Sequence, residues 1–272
     1  MKETLRQDPM APWPAATLID ALALDRPSPG PGDPLPPFWH WLYFPESVPV
    51  GQTGRDGHPA PGVLLPETGL PRRMWAGGAL DFLAPLPLGA PATRRSTAQT
   101  PVQKTGRSGP LAFVTAHHEI AGAAGVAVRE RQDLVYREDP APGGPPAPPR
   151  AAPAEETAHQ AWQLGPADLF RYSALTYNAH RIHYDRDYAR SVEGYPDIVV
   201  HGPLLATLML ELATTALPER FAEGFIGHFS FRAVSPVFAD ERFETCLAAA
   251  GDGARLWVRA ADGRLAMEGT VA

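Results

Sequence analysis

The sequence predicts an α+β protein of two units, each a curled antiparallel sheet around a central helix. Three observations carry this expectation. Residues 138–158 hold the run Glu138-Asp-Pro-Ala-Pro-Gly-Gly-Pro-Pro-Ala-Pro-Pro-Arg150, which has little to bury and can continue neither a helix nor a sheet ladder. Beyond it, Pro203 to Leu217 is apolar over more than half its circumference through Leu204, Leu205, Leu208, Met209, Leu212 and Leu217. A helix apolar on so many sides has to be wrapped by something. Strand-like runs then follow that helix, punctuated by Asp252-Gly253 and Asp262-Gly263, which suit tight hairpin turns.

The elements of the first unit, 1–137, come in this order. A short helical pattern covers Ala15 to Leu24, with Leu18, Ile19 and Leu22 on one side. The aromatic stretch Pro36-Pro-Phe-Trp-His-Trp-Leu-Tyr-Phe44 precedes about 30 loop residues. Strand-like runs follow at Met74 to Leu83, Thr93 to Lys104, Leu111 to Ile120 and Val126 to Tyr136, separated by Gly- and Pro-rich turns as in an antiparallel meander.

After the linker at 138–158, the second unit, 159–272, offers short helices at Asp168 to Leu175 and Asp185 to Glu193, then the long apolar helix. Its strands are expected at Phe225 to Val234, Arg242 to Ala250, Ala254 to Ala261 and Arg264 to Ala272. One buried helix followed by a curled antiparallel sheet is the layout of a hotdog fold, and two in tandem make a double hotdog. No exact internal repeat is visible, so the duplication is inferred from layout.

Composition narrows the function. The 272 residues carry 44% apolar and 20% charged side chains, ordinary for a soluble globular chain and unlike a disordered or coiled-coil one. Pro 32 and Gly 25 make about a fifth of the chain, so loops and turns are abundant. A net charge of -6 argues against a nucleic-acid partner, which calls for a basic surplus. The single cysteine, Cys246, allows no internal disulfide and fits a reducing compartment. Met1 to Met10 is polar and lacks the apolar core of a signal peptide, and Ile198 to Ala213 is too short to span a bilayer. A cytoplasmic protein with no membrane partner is expected.

Chemistry concentrates in Phe170-Arg-Tyr-Ser-Ala-Leu-Thr-Tyr-Asn-Ala-His-Arg-Ile-His-Tyr-Asp-Arg-Asp-Tyr-Ala189. So many polar and titratable side chains at a junction of two helices make a poor core and a good site. Downstream, Gly202 and Pro203 open the buried helix, and proline is tolerated at a first helical position. The free N–H groups there, with the positive end of the helix dipole, suit an oxyanion.

This segment resembles the active-site region of MaoC-like (R)-specific enoyl-CoA hydratases and hydroxyacyl-thioester dehydratases type 2. Their signature is Asp-x-Asn-Pro-hydrophobic-His, followed later by His-Gly before the central helix. Asn178 stands where that Asp would be, His180 replaces the Asn and Arg181 replaces the Pro, while Ile182, His183, Asp185 and His201-Gly202 match. The first unit resembles the degenerate N-terminal hotdog of the same proteins through Pro71-Arg-Arg-Met-Trp-Ala-Gly-Gly78 and Lys104-Thr-Gly-Arg-Ser-Gly109. The whole pattern is most similar to the 3-methylfumaryl-CoA (mesaconyl) and itaconyl-CoA hydratase branch.

The resemblance implies a hydro-lyase that acts on an acyl-CoA thioester without metal or organic cofactor. His183 is the expected acid/base, Asn178 the residue that positions water, and the Gly202 N–H the donor to the thioester oxygen. Asparagine cannot take water's proton at neutral pH, so His183 must be the main base or another carboxylate must assist. Exchanging Asp for Asn removes a like charge, and Arg181 adds a planar cation suited to a carboxylate, so a dicarboxylic acyl group is favoured. Substrate contacts are expected from Arg181, His180, Tyr177 and His201, and CoA phosphate contacts from Arg72, Arg73, Lys104 and Arg107.

Plainer readings stand beside these. His183 can be a loop histidine ahead of a helix capped by Asp185, His180 a structural residue, His201 a backbone partner, and the four first-unit cations solvated surface. Trp39, Trp41 and Trp75 fit a core better than an acyl tunnel. The rival functions are a type-2 dehydratase of fatty-acyl or polyketide chains, a hotdog thioesterase and a non-catalytic acyl-CoA binding module. The thioesterase lacks an acidic residue close before Pro203, the nearest being Asp197. A metal site from His180, His183, Asp185 and His201 has suitable ligand types but no supporting spacing. Both a monomeric double hotdog and a homodimer satisfy the fold.

Overall fold

Strand order shows how the chain is built. In a computed structural model describing residues 3–106, 109–139, 148–221 and 227–272, eleven strands form one antiparallel sheet. The first unit supplies β1 (Glu3–Asp8), β2 (Arg72–Phe82), β3 (Ala92–Ala98), β4 (Val102–Gly106), β5 (Gly109–Gly122) and β6 (Gly125–Arg137). The second supplies β7 (Ala158–Gln163), β8 (Gly227–Ala233), β9 (Arg242–Ala250), β10 (Gly253–Ala260) and β11 (Leu265–Val271). The order is β1-β3-β5-β6-β2 and then β8-β11-β10-β9-β7, with β4 an extra strand on β5. Setting β4 aside, the second half repeats the first in mirror order. The fold is a double hotdog, and the halves join where β2 pairs with β8, Gly77 opposite Arg232 and Phe82 opposite Gly227.

The helices are α1 (Pro12–Leu22), α2 (Pro166–Thr176), α3 (Arg186–Ser191), α4 (Gly202–Ala216) and the single turn α5 (Pro218–Phe221). Each unit thus begins with a strand and a helix, β1–α1 and β7–α2. Only the second goes on to a central helix. In α4 every residue from Pro203 to Ala213 is buried, as an all-round apolar helix requires. Residues 23–71 occupy the corresponding stretch of the first unit, and their helical pieces are two 3₁₀ turns, Trp39–Leu42 and Val50–Gln52. That missing helix is what the degeneracy of the first unit consists of.

The aromatic stretch has a definite task. Glu211 is the one charged residue of α4, and it accepts hydrogen bonds from Trp39 Nε1 at 2.7 Å and Arg26 Nη1 at 3.0 Å. The Arg26 guanidinium lies 4.9 Å from the Trp39 ring. The first unit is therefore latched onto the second unit's helix by a satisfied buried carboxylate.

Three expectations change. The run Thr93 to Lys104 is two strands, interrupted at Gln99–Pro101, where proline cannot donate to a ladder. The edge strands β1 and β7 had no counterpart in the sequence reading. Phe225 lies outside the described residues, and β8 starts at Gly227. Among the described residues, no helix is long and apolar enough to cross a membrane.

Candidate active site

The candidate catalytic segment is shaped by its own side chains. Helix α2 ends with Tyr177 in the left-handed region, φ 52°. Asn178 then forms a turn: its N–H donates to Ser173 O at 2.8 Å, and its Oδ1 accepts the His180 N–H at 3.0 Å. One 3₁₀ turn, Arg181–His183, follows, and Asp185 caps α3 by accepting the Tyr188 N–H at 2.9 Å. This turn directs Ile182 and His183 inward and Arg181 outward.

His183 is held in one tautomer. Its Nδ1 lies 2.7 Å from Val199 O, and a carbonyl only accepts, so Nδ1 carries the proton and Nε2 keeps a lone pair. Burial pushes its pKa down to about 4, so the ring is neutral at ordinary pH. His201 is fully buried beneath it, the two rings stacked at 3.6 Å and 19°. His201 Nε2 is 2.7 Å from Ser173 Oγ. Burial also holds His201 well below the usual histidine range, which keeps the stack uncharged.

Beside this pair begins α4. Its cap makes no side-chain hydrogen bond, so the leading N–H groups stay available. A Cβ on Gly202 would lie 2.5 Å from Cε3 of Trp75, so the indole of β2 covers the helix start as only glycine permits. Trp75 continues an aromatic wall with Phe231 at 4.7 Å and Trp41 at 5.6 Å.

The first unit also reaches the catalytic turn through a loop. Arg181 N–H donates to Asp56 O at 2.9 Å, and Arg181 Nη1 to Arg55 O at 3.2 Å. Gly57, φ +87°, sits so close that a Cβ there would be 2.1 Å from Ala179 O. The docked loop sets His58 against His180, ring centroids 4.9 Å apart, and His180 in turn is 5.5 Å from His183.

A cavity of about 590 Å³ runs between the units. Of the residues singled out in the sequence, Tyr177, Asn178, His180, His183, Gly202 and Arg73 line it. The others fall elsewhere. Arg181 turns away: its Nε and Nη2 donate to Asp185 Oδ2 at 3.0 and 2.7 Å, and its guanidinium lies 4.3 Å from the Tyr188 ring. His201 is one layer below the lining. Arg72 is buried in an ion pair with Glu193 and stacks on Tyr195. Lys104 of β4 lies over the Phe113 ring of β5, and Arg107 is outside the described residues. Trp39 is in the core, whereas Trp41 and Trp75 line the cavity.

The metal-ligand set considered from sequence does not converge, because Asp185 is spent on Arg181 and the α3 cap. Among the described residues, no group of three or more His, Cys, Asp or Glu is arranged to hold a metal ion. Asp197 is engaged by Arg186 at 2.6 Å.

Sequence reasoning missed His58 and a polar wall in the first unit. Glu130 accepts from Trp41 Nε1 at 2.8 Å and Gln132 Nε2 at 3.1 Å, and its Oε2 lies 3.1 Å from His40 Nε2. Burial opposes its charge, but His40 and these hydrogen bonds win and hold its pKa down to about 2. His118 of β5 is paired opposite Glu130 of β6, and its Nδ1 lies 2.7 Å from Ser96 Oγ. No sequence motif announces this wall; only the strand register aligns it.

Known proteins place this arrangement among thioester hydro-lyases. The chain belongs to the hydroxyacyl-thioester dehydratase type 2 family, whose model matches residues 38–239. It is 43% identical over 259 residues to the mesaconyl-C(4)-CoA hydratase of Chloroflexus aurantiacus, with 94% of this chain and 91% of that protein covered. The HtdX structure from Mycobacterium tuberculosis aligns at TM-score 0.69 and 18% identity over 99% of each chain. A second protein of that organism, described as a double hotdog, aligns at TM-score 0.61 and 14% identity, covering 100% of this chain and 95% of the other. The protein is accordingly an enzyme, a hydro-lyase of the hydratase and dehydratase type.

Proposed function

We propose that the protein adds water reversibly to an unsaturated branched dicarboxylyl-CoA, converting 3-methylfumaryl-CoA or itaconyl-CoA to a citramalyl-CoA type product. The observation that carries the reading is the neutral His183, its lone pair on Nε2 and its ring beside the open N-terminus of α4. In the hydration of 3-methylfumaryl-CoA, Nε2 takes a proton from water as the water oxygen bonds to the β-carbon. The double-bond electrons move onto the thioester oxygen, where the Gly202 N–H receives the charge. The enolate then collapses and its α-carbon takes the proton back from the imidazolium. Asn178 has committed Oδ1 to its turn, so it offers the water oxygen an N–H donor rather than a base.

The polar wall supports a short polar acyl group over a long linear one. A fatty chain directed along the first unit would lie against Gln132 and His118, whose Nε2 is unpartnered among the described residues, without offering either a hydrogen bond. The test is loss of enoyl-thioester ultraviolet absorbance with 3-methylfumaryl-CoA, crotonyl-CoA and a long-chain enoyl-CoA, and product analysis for itaconyl-CoA. Turnover confined to the dicarboxylic esters is expected. Preference for the long chain would move the enzyme to fatty-acyl or polyketide dehydration, and saturable binding without turnover would make it a binding module.

A further inference from the structure

The carbon that receives water in 3-methylfumaryl-CoA is also the carbon that bears the free carboxylate. Whatever binds that carboxylate therefore has to stand beside the base. Arg181, the cation nearest in sequence, is turned out of the cavity and held by Asp185. The inward neighbour of His183 is His180, with His58 behind it, and Arg73 lines the same cavity.

Three features mark this corner of the lining. Arg73 makes no ion pair among the described residues, whereas its neighbour Arg72 is paired with Glu193 and Arg94, another lining arginine, with Glu46. His180 is 93% buried, and its Nε2 has no hydrogen-bond partner among the described residues. An orphaned buried polar atom of this kind costs stability unless a ligand completes it. Lastly, His58 reaches the corner only because the Gly54–His58 loop is fastened to the catalytic turn by the Arg181 N–H to Asp56 O bond.

We propose that Arg73, His180 and His58 form the subsite for the substrate's free carboxylate, with the guanidinium as its counter-ion and His180 Nε2 as a direct donor. The proposal rests on the dicarboxylyl-CoA reading and adds to it which residues select that acyl group. The first unit then supplies substrate specificity to a reaction centre in the second. The lowered pKa of both histidines fits a corner that already contains one positive charge, since Arg73 helps burial disfavour two more.

Binding of saturated thioesters tests this without turnover. 3-Methylsuccinyl-CoA carries a carboxylate on the β-carbon, and isovaleryl-CoA carries a methyl group in its place. Calorimetry on the full chain is expected to show wild-type preference for 3-methylsuccinyl-CoA, and Arg73→Gln is expected to cut that preference ratio at least about 30-fold. His58→Gln, on the loop, should cut it severalfold, with melting curves confirming that both variants fold. An unchanged ratio overturns the proposal. So does equal weakening of both esters and of free CoA by Arg73→Gln, which would assign Arg73 to a CoA phosphate. Carboxylate preference in a wild-type protein that turns over no ester would sink the hydratase reading and leave the subsite standing.

Discussion

The two units share one strand order and differ in what their sheets enclose. The second wraps α4, and the proposed reaction centre lies at that helix's N-terminus. The first has a Trp39–Leu42 turn and a long loop in the equivalent stretch, and much of the cavity is lined by its exposed sheet face. Losing a central helix costs the first unit an oxyanion site and gains it room. On the proposed reading the pair divides labour: bond chemistry where the helix starts, acyl selection where the helix is missing.

Paired substitutions test that division most severely. His183→Ala removes the proposed base and is expected to lower kcat/KM at least about 10³-fold, at a stability cost of about 1–3 kcal/mol because Val199 O loses its buried donor. Glu130→Ala in the first unit removes the acceptor for Trp41, Gln132 and His40. It is expected to destabilise by about 3 kcal/mol or more, because buried donors are left unmatched. Chemical denaturation and steady-state kinetics on both proteins separate the effects. If Glu130→Ala abolished turnover in a well-folded protein, chemistry would not be confined to the second unit.

Gly202→Ala probes the seam. The new Cβ collides with Trp75, so either the indole or the helix start must move, and about a 10²-fold loss in kcat is expected. Trp75→Leu in the same chain frees the space and should restore part of the rate. Failure of any rescue would mean that the indole itself shapes the site.

Acid is the third probe, with its sign set by burial. His183 titrates near 6.5 when unfolded but near 4 when folded. Above pH 6.5 both states are neutral and stability is full. Below it the unfolded chain takes a proton that the folded ring refuses, and about 3 kcal/mol drains away by pH 4. His58, His180 and His201 are lowered in the same direction and steepen the slope. His183→Gln should flatten the dependence of unfolding free energy on pH, and the acid limb of kcat/KM should fall near pH 4 rather than 6.5. A limb near 6.5 would mean that an ordinary, solvated histidine does the work.

What the sequence disclosed follows the same contrast. Helix α4 and strands β9 to β11 were legible because apolar periodicity and Asp-Gly turns coincide there. Edge strands β1 and β7 were not, since Glu3-Thr-Leu-Arg-Gln-Asp8 and Ala158-His-Gln-Ala-Trp-Gln163 bury too little to leave a pattern. His183, Asn178 and Gly202 stood within one readable motif. His58 lay in a loop without periodicity, and its position depends on Gly57 fitting against Ala179 O, a contact about 120 residues away in sequence. The Glu130 wall emerges only from the pairing of β5 with β6.

The smallest expected effect is at Arg181, and it discriminates best between the units as sources of specificity. Arg181 is partly exposed and pairs with Asp185 four residues on, an arrangement worth under about 1 kcal/mol. Sequence spacing cannot distinguish a guanidinium facing the cavity from one folded back along its own turn. Arg181→Met also removes the bond to Arg55 O, although the backbone tie from Arg181 N–H to Asp56 O survives. The loop holding His58 should therefore stay docked, and KM for a dicarboxylic ester should change less than about threefold. A loss of carboxylate preference as large as that expected of Arg73→Gln would return carboxylate recognition to the turn at Arg181–His183, leaving the first unit as a source of space alone.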